Sequence, residues 1–362
     1  MTAVAVKNET GRIAPRDLRS ALSLAAASGA RLVELRPDCT LRFGGEDTAA
    51  IVPFPGRPWK GEPVWIDRVP FARVVRACGS DMLVAADGAA VTIESDSLTV
   101  GLAARSAPDL PSQDGDDLVD KLTVDALDLA RLLVAVLPFS STDLTRPLLC
   151  QVALDLKRGK VVATDSYRLA ILDAPTVQVG DSEETLLLPR AACGPLATAL
   201  KLAGGKVRIS RSDGTLALEF GGQRWFIREV QGRFPDWEAL LPEEDRFATA
   251  FSLAAGDLQA TSSLIADIAM RNTPLRLKID GDGATVASTC PDHAEVKQRL
   301  AATVERVDVG GVEIGFNPEY TRDIAAAIAP EHAHIKVIAP LRPALFTAPD
   351  AEYLLMPIRL NV

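Results

Sequence analysis

VVATDSYRLAILDAP, Val161–Pro175, is the stretch on which the reading of this chain turns. Val161, Val162 and Ala163 are apolar and suit a strand. Thr164, Asp165 and Ser166 carry short polar side chains that bond to nearby backbone and favour a turn. Tyr167 to Leu172 resumes a strand opened by an exposed-type Tyr-Arg pair, and Pro175 closes it. By itself this is a hairpin, and core packing accounts for most of it. The polar turn followed at once by Tyr167 and Arg168 is what asks for a further explanation.

Composition limits the answers. With 362 residues, 48% hydrophobic and 24% charged, the chain is a folded protein of two or three domains. Its 39 basic and 48 acidic residues leave a net charge of −9. Contact with nucleic acid would therefore have to be confined to one cationic face. The five cysteines are scattered, with no C-x-x-C pair, which argues against a zinc site or disulfide framework and fits a reducing, cytoplasmic setting. The N-terminus lacks a secretory core segment, and the apolar run Leu127–Phe139 is too short and too charged to span a bilayer.

Periodicity divides the rest into three similar passages. A short strand at Ala3–Lys7 precedes a helix from about Ala14 to Ser28, with Gly29 placed to end it. Arg12, Arg16 and Arg19 are spaced to share one face of that helix. Ser28-Gly29 leads almost directly into a strand at Arg31–Leu35. Strands at Thr40–Phe43, Ala49–Val52 and Val64–Ile66 lead to a helix at Pro70–Cys78 carrying Arg73 and Arg76. Strands at Met82–Ala85, Ala90–Ile93 and Leu98–Leu102 follow, then a Pro-, Asp- and Gly-rich linker at Ser106–Asp120. The order recurs with a helix at Thr123–Pro138, whose Asp125 and Asp128 suit its positive end. It recurs again with a helix at Leu253–Ala269. Three strand-into-helix joints mark the repeat: VWIDRVPFARVV, LLLPRAACGPLATAL and EIGFNPEYTRDIAAAI. They divide the chain into residues 1–118, 119–245 and 246–362 and give an α+β class with helices gathered on one face of the sheets.

Catalytic signatures are poor. There is no phosphate-binding G-x-x-x-x-G-K, since Leu200 stands where the first Gly should be, and no G-x-S-x-G elbow. His332 and His334 form an H-x-H pair without ordered Cys or Asp ligands, a weak basis for a metal site or an enzyme. Cations on helices are more informative. Arg190 and Lys201 lie three turns apart on one face, and with Arg16, Arg19, Arg73, Arg76, Arg131 and Arg146 they suit phosphate contact without base reading. The third passage differs: its first helix has Asp257 and Asp267 and no Lys or Arg, and its second offers only Arg322.

Four stretches carry a family resemblance. ATDSYRLA resembles the A-T-D-G-H-R-L-A segment of the bacterial beta sliding clamp family, the processivity rings of replicative DNA polymerase. QGRFPDWEALLP at Gln231–Pro242, GFNPEY at Gly315–Tyr320 and YLLMPIRL at Tyr353–Leu360 are similar to its G-R-F-P-D, G-F-N-x-x-Y and Y-x-x-M-P-x-R-L motifs, in the same order. The match is specific over the second and third passages and weak over the first.

The resemblance implies a DNA-clamp fold of three similar domains, with helices lining the inner face, sheets outside, and a ring-shaped homodimer around duplex DNA. It implies a negative outer surface, no cofactor or metal, and tethering of the replicative polymerase, clamp loader and repair polymerases through linear peptides. The implied peptide pocket consists of Leu149, Thr164, Tyr167, Arg168, Leu169, Pro235, Leu240, Asn317, Tyr320, Met356, Pro357, Ile358 and Arg359. The implied dimer edge carries Leu98, Val100 and Leu102. Three departures stand out: Ser166-Tyr167 where the family often has Gly-His, Ala239 where an Arg is common, and the short loop after the first helix. They open the alternative of a specialised clamp with altered partners or inhibitor binding.

Overall fold

A computed structural model describes residues 10–111, 119–178, 184–212, 214–268, 273–281, 283–290, 294–307 and 311–360. Helices are α1 Pro15–Ala27, α2 Arg68–Ala77, α3 Ala126–Val136, α4 Arg190–Ala203, α5 Ala255–Ile268 and α6 Pro318–Ile328. The chain divides into two compact units: Met1–Val134, Val179–Ser182 and Leu186–Gln231 form one; Ala135–Gln178, Glu183–Thr185 and Gly232–Val362 form the other. No helix of the described residues is long and apolar enough to cross a membrane.

In the first unit α1 begins with Pro15 at its first turn and buries Leu18, Ala21, Leu22 and Ala25. It ends in a left-handed cap: Gly29, at φ +73°, donates to Ala26 O, and Ala30 N donates to Ala25 O. This closes two orphan carbonyls and sends the chain straight into the strand Leu32–Arg36, so no long loop intervenes. An eight-stranded antiparallel sheet runs in the order Val64–Asp67, Leu32–Arg36, Thr40–Gly45, Thr48–Pro53, Gln223–Arg228, Thr215–Phe220, Lys206–Ser212, Val119–Asp125. A four-stranded sheet runs Gly11–Ile13, Met82–Ala86, Ala90–Ser95, Leu98–Ala103, with the last strand at a free edge.

The second unit places the hairpin Lys160–Thr164 and Arg168–Asp173 inside an antiparallel sheet. Its strands Gln151–Asp155, Lys160–Thr164, Arg168–Asp173, Ala351–Leu355, Ala344–Ala348, His332–Val337, Thr249–Ala254 and Ala302–Arg306 are neighbours in that order. The hairpin register pairs Val162 with Ile171 and Thr164 with Leu169. Arg168 and Leu169 then pair with Leu355 and Leu354 of the last strand. Tyr353, 1% exposed, packs on Phe139 with ring centroids 5.2 Å apart. Burying an aromatic ring of this size stabilises by about 2 kcal/mol or more. A second sheet, Ala294–Leu300, Gly283–Cys290, Leu275–Asp280 and Val312–Phe316, lies in the same unit, where α5 and α6 pack on each other.

Several sequence expectations are corrected. Arg12 sits on the strand Gly11–Ile13 and pairs with Asp81 at 3.4 Å, so it shares no helix with Arg16 and Arg19. Thr123 to Asp125 belong to a strand. Helix α3 starts only at Ala126, because the Asp125 carboxylate caps it by accepting from Leu127 N and Asp128 N. Leu253 and Ala254 likewise end a strand before α5. The closing strand, expected over Tyr353–Ile358, runs Ala351–Leu355 and stops short of Pro357. Strands at Ala294–Leu300 and Ala302–Arg306 have too many charges to announce themselves as strands. The expected strand at Ala3–Lys7 and part of the Ser106–Asp120 linker lie outside the described residues.

Candidate functional site

The turn Thr164–Arg168 is built by its own polar side chains. Thr164 Oγ1 donates to Arg168 O at 2.8 Å, and Asp165 Oδ1 accepts from Tyr167 N and Arg168 N at 2.9 Å each. Ser166 is thereby held at φ +79°, a left-handed conformation that costs an L-residue about 1–2 kcal/mol. Its hydroxyl accepts from Arg146 Nη1 at 2.9 Å. The geometry throws Tyr167 outward, where it is 56% exposed.

Arg168 does the opposite of what an exposed-type pair suggests. Its side chain is 9% exposed and bonds to Asp165 Oδ2 at 2.9 Å, Asp323 Oδ2 at 2.7 Å and Pro138 O at 2.7 Å. Its guanidinium stacks over the rings of Tyr320, at 4.2 Å, and Phe139, at 5.2 Å. A planar fork with five donors can satisfy this set, and a lysine cannot. Arg168 is therefore the strut of the site, with its charge balanced by two carboxylates.

Tyr320 arrives from α6. Asn317 caps that helix, its Oδ1 accepting from Glu319 N at 2.9 Å and Tyr320 N at 3.2 Å. Burial, then the nearby Asp165, pushes the Tyr320 phenol above its ordinary range, so the ring stays neutral. The rings of Tyr167 and Tyr320 lie 6.4 Å apart. The tail completes the arrangement: Met356 N donates to Tyr167 O at 2.9 Å, leaving the Met356 side chain 46% exposed. Ile358 N donates to Gly315 O at 2.7 Å. A Cβ on Gly315 would stand 2.6 Å from Leu360 Cδ2 and 2.7 Å from Ile358 O, so only glycine lets the tail approach this closely. Each fixed letter of G-F-N-x-x-Y thus has a physical job: close approach at Gly315, core packing at Phe316, a cap at Asn317 and the site ring at Tyr320.

All thirteen residues expected in the peptide pocket fall within the second unit. Tyr167, Arg168, Asn317, Tyr320, Met356 and Ile358 are tied together by the bonds above. Thr164 and Leu169 are buried in the hairpin beneath them. Leu149 lies on the turn after Arg146 and accepts from Ser141 N. Pro235 and Leu240 stand on a segment held by a different network. There Trp237 Nε1 donates to Asp155 Oδ2 at 3.2 Å, and Arg158 bridges Asp155 and Glu238 while lying over the Trp237 ring. Leu240 is half exposed, as are Met356 and Tyr167. Pro357 is half-buried and Arg359 exposed. Leu144, 83% exposed on the turn before Arg146, escaped the sequence reading because a lone leucine in a polar loop carries no periodic signal.

Of the candidate DNA contacts, Arg16, Arg19, Arg73, Arg76, Arg131, Arg190 and Lys201 lie in the first unit. Arg19 and Arg76 line a groove of about 400 Å³ between α1 and α2. Arg68 shares it but was missed, because the second helix was read as starting at Pro70; it starts at Arg68. Arg131 pairs with Asp128 at 3.1 Å, and the neighbouring exposed positions on α3 are Leu127 and Val134. Arg146 belongs instead to the second unit, beside the Ser166 turn. Leu98, Val100 and Leu102 lie on the free edge strand of the first unit. His334 bonds Glu305 through Nε2 at 3.1 Å, and among the described residues no cluster of three or more His, Cys, Asp or Glu could hold a metal ion.

Comparison with known proteins places this geometry. Residues 123–236 match the family model of the DNA polymerase III beta subunit, central domain, and residues 239–359 match its C-terminal domain. The beta sliding clamp of Caulobacter vibrioides is 26% identical over 271 residues, covering 70% of this chain and 69% of the relative. That of Streptomyces coelicolor is 28% identical over 236 residues, 60% of this chain and 61% of the relative. In fold, the beta subunit of DNA polymerase III from Thermotoga maritima superposes with a TM-score of 0.83 at 18% identity, over 98% of this chain and 100% of that one. The corresponding subunit from Pseudomonas aeruginosa gives 0.82 at 19% identity, over 96% and 99%. The chain belongs to the DNA polymerase III beta sliding clamp family.

Proposed function

We propose that the chain is a DNA sliding clamp: a ring-shaped homodimer that encircles duplex DNA in the cytoplasm and tethers the replicative polymerase, the clamp loader and repair polymerases through linear peptides. Each subunit contributes three modules, residues 1–118, 119–245 and 246–362. Phosphate contacts from Arg16, Arg19, Arg68, Arg73, Arg76, Arg131, Arg190 and Lys201 hold the duplex without reading bases, so the ring slides. Arg146 is reassigned to the peptide site that Tyr167, Tyr320 and Met356 form. The clamp is non-catalytic, needing neither metal nor cofactor.

The observation that carries this reading is the convergence of Tyr167, Arg168, Asn317, Tyr320 and Met356 on one surface of the second unit. An exposed aromatic and a thioether over a rigid polar base suit an extended peptide with apolar anchors. Ring closure joins two strands that end their sheets among the described residues, head to tail: Leu98–Ala103, with Leu98, Val100 and Leu102, and Ala294–Leu300. The test is retention on nicked circular DNA after loading, with release on linearisation, alongside the mass of the free protein. A monomer at micromolar concentration, or retention indifferent to linearisation, defeats the proposal.

The Tyr167–Tyr320 ring pair, with centroids 6.4 Å apart, supports a second reading, a specialised clamp whose docking site is narrowed at its mouth. In that case replication peptides bind poorly to the intact dimer, and Tyr167→His restores them.

A further inference from the structure

Leu144 is the most exposed large apolar side chain among the described residues: 83%, with Leu202 next at 65%. Single surface leucines need no explanation where the chain around them is loose. Leu144 instead sits at the tip of a turn locked by its neighbours. Asp143 Oδ1 accepts from Thr145 N at 3.0 Å and from Thr145 Oγ1 at 2.7 Å, which holds the Asp143 carboxyl below the usual carboxylate range. Asp143 O accepts from Arg146 N at 3.0 Å and from Cys150 Sγ at 3.3 Å, and Ser141 Oγ accepts from Asp143 N at 3.0 Å. The backbone cannot swing the leucine back onto the protein without breaking these bonds. The loop's other leucines have partners: Leu148 lies against Gly232, where an added Cβ would stand 2.9 Å from its Cδ1, and Leu149 is half-buried.

The turn is tied to the Tyr167 surface. Arg146 Nε donates to Asp143 Oδ2 at 3.2 Å and its Nη1 to Ser166 Oγ at 2.9 Å, and Ser166 immediately precedes Tyr167. One arginine side chain therefore spans the distance between the two turns. Leu144, Tyr167 and Met356 are exposed on segments bonded to one another within the second unit, since Met356 N donates to Tyr167 O. Arg146 is engaged by Asp143 and Ser166, so the tip offers apolar contact rather than free charge. An extended peptide sends alternate side chains to one face, and one that runs past Tyr167 towards Arg146 brings a further side chain to Leu144.

We infer that Leu144 is a specificity-determining residue of the peptide site, receiving an aliphatic side chain of the partner peptide that lies outside the segment held by Tyr167, Tyr320 and Met356. The inference rests on the reading of that surface as a peptide site and extends it by one apolar contact. Partners whose docking segment carries a leucine, isoleucine or valine beside its core are then favoured over partners with a polar residue there.

Fluorescence anisotropy on the full chain tests this with three labelled probes. The first is a short docking peptide from a replicative polymerase. The second is that peptide lengthened at both ends, with one leucine in each extension, and the third has alanine in place of both leucines. The leucine probe binds about fivefold tighter than the other two, as partial burial of one aliphatic side chain allows. Leu144→Ser abolishes that preference, and Leu144→Met keeps most of it. Equal binding of the leucine and alanine probes by the unaltered chain, or a preference that survives Leu144→Ser in folded protein, overturns the inference while the short probe still binds. If the short probe binds neither the unaltered chain nor Tyr167→His, the peptide-site reading falls, and the inference with it.

Discussion

Replacing Arg168 with alanine withdraws the cation that Asp165 and Asp323 share. The two carboxylates are 11% and 23% exposed, and the arginine itself 9%. Breaking a buried pair by removing one partner costs 3–5 kcal/mol, because the remaining charge is left in a poor solvent. Here some donors survive: Asp165 keeps the amides of Tyr167 and Arg168, and Asp323 Oδ1 keeps Arg322 at 2.9 Å. Those survivors place the loss at the lower end, about 3 kcal/mol including the stacking on Tyr320. At 1.36 kcal/mol per tenfold, the opening equilibrium of the hairpin rises roughly 150-fold. Native-state hydrogen exchange at the paired residues Val162 and Ile171 reads this directly. Arg168→Lys retains charge without the fork and loses about half as much. Adding Asp323→Asn to Arg168→Ala recovers part of the loss, since one stranded charge is gone. An acceleration below about fivefold for Arg168→Ala refutes the reasoning, for it equates Arg168 with an ordinary solvated surface pair.

Ser166→Gly relieves the left-handed strain but adds unfolded-state freedom and drops the bond from Arg146, so stability changes by under about 0.5 kcal/mol; Ser166→Val, which tolerates φ +79° badly, loses about 2 kcal/mol in urea titration. Arg158→Ala leaves Asp155 buried with one fewer partner and frees Glu238, loosening the segment around Trp237 by about 1–2 kcal/mol; limited trypsinolysis at the exposed Arg233 becomes faster, and unchanged cleavage refutes the latch. Tyr353 has its phenol pushed up to about 12 by burial, so the folded state holds that proton more tightly than the unfolded chain. Its contribution is complete below about pH 10 and is lost as pH rises through about 12. Tyr353→Phe therefore shifts alkaline unfolding of the second unit upward, as followed by circular dichroism.

Much of the architecture was readable because local chemistry agreed with its setting. The Thr164–Ser166 turn and the Gly29 cap act within a few residues, so the chain announces them without help from distant parts. What failed to announce itself was nonlocal. Ala294–Leu300 alternates charged with uncharged side chains and becomes a strand because Gly283–Cys290 offers a ladder. Thr123 looked helical until Lys206–Ser212 recruited its segment into a sheet.

The sequence by itself determined the hairpin, its polar turn, the Gly29 cap and the strand-into-helix joints, since those follow from bonds between near neighbours. Tertiary structure alone decided that Arg168 turns inward, because Asp323, 155 positions away in sequence, supplies its second carboxylate. It also decided that Arg276 and Glu313 meet Leu341 and the tail: their meeting depends on register between two strands and on a chain end, which no local pattern encodes.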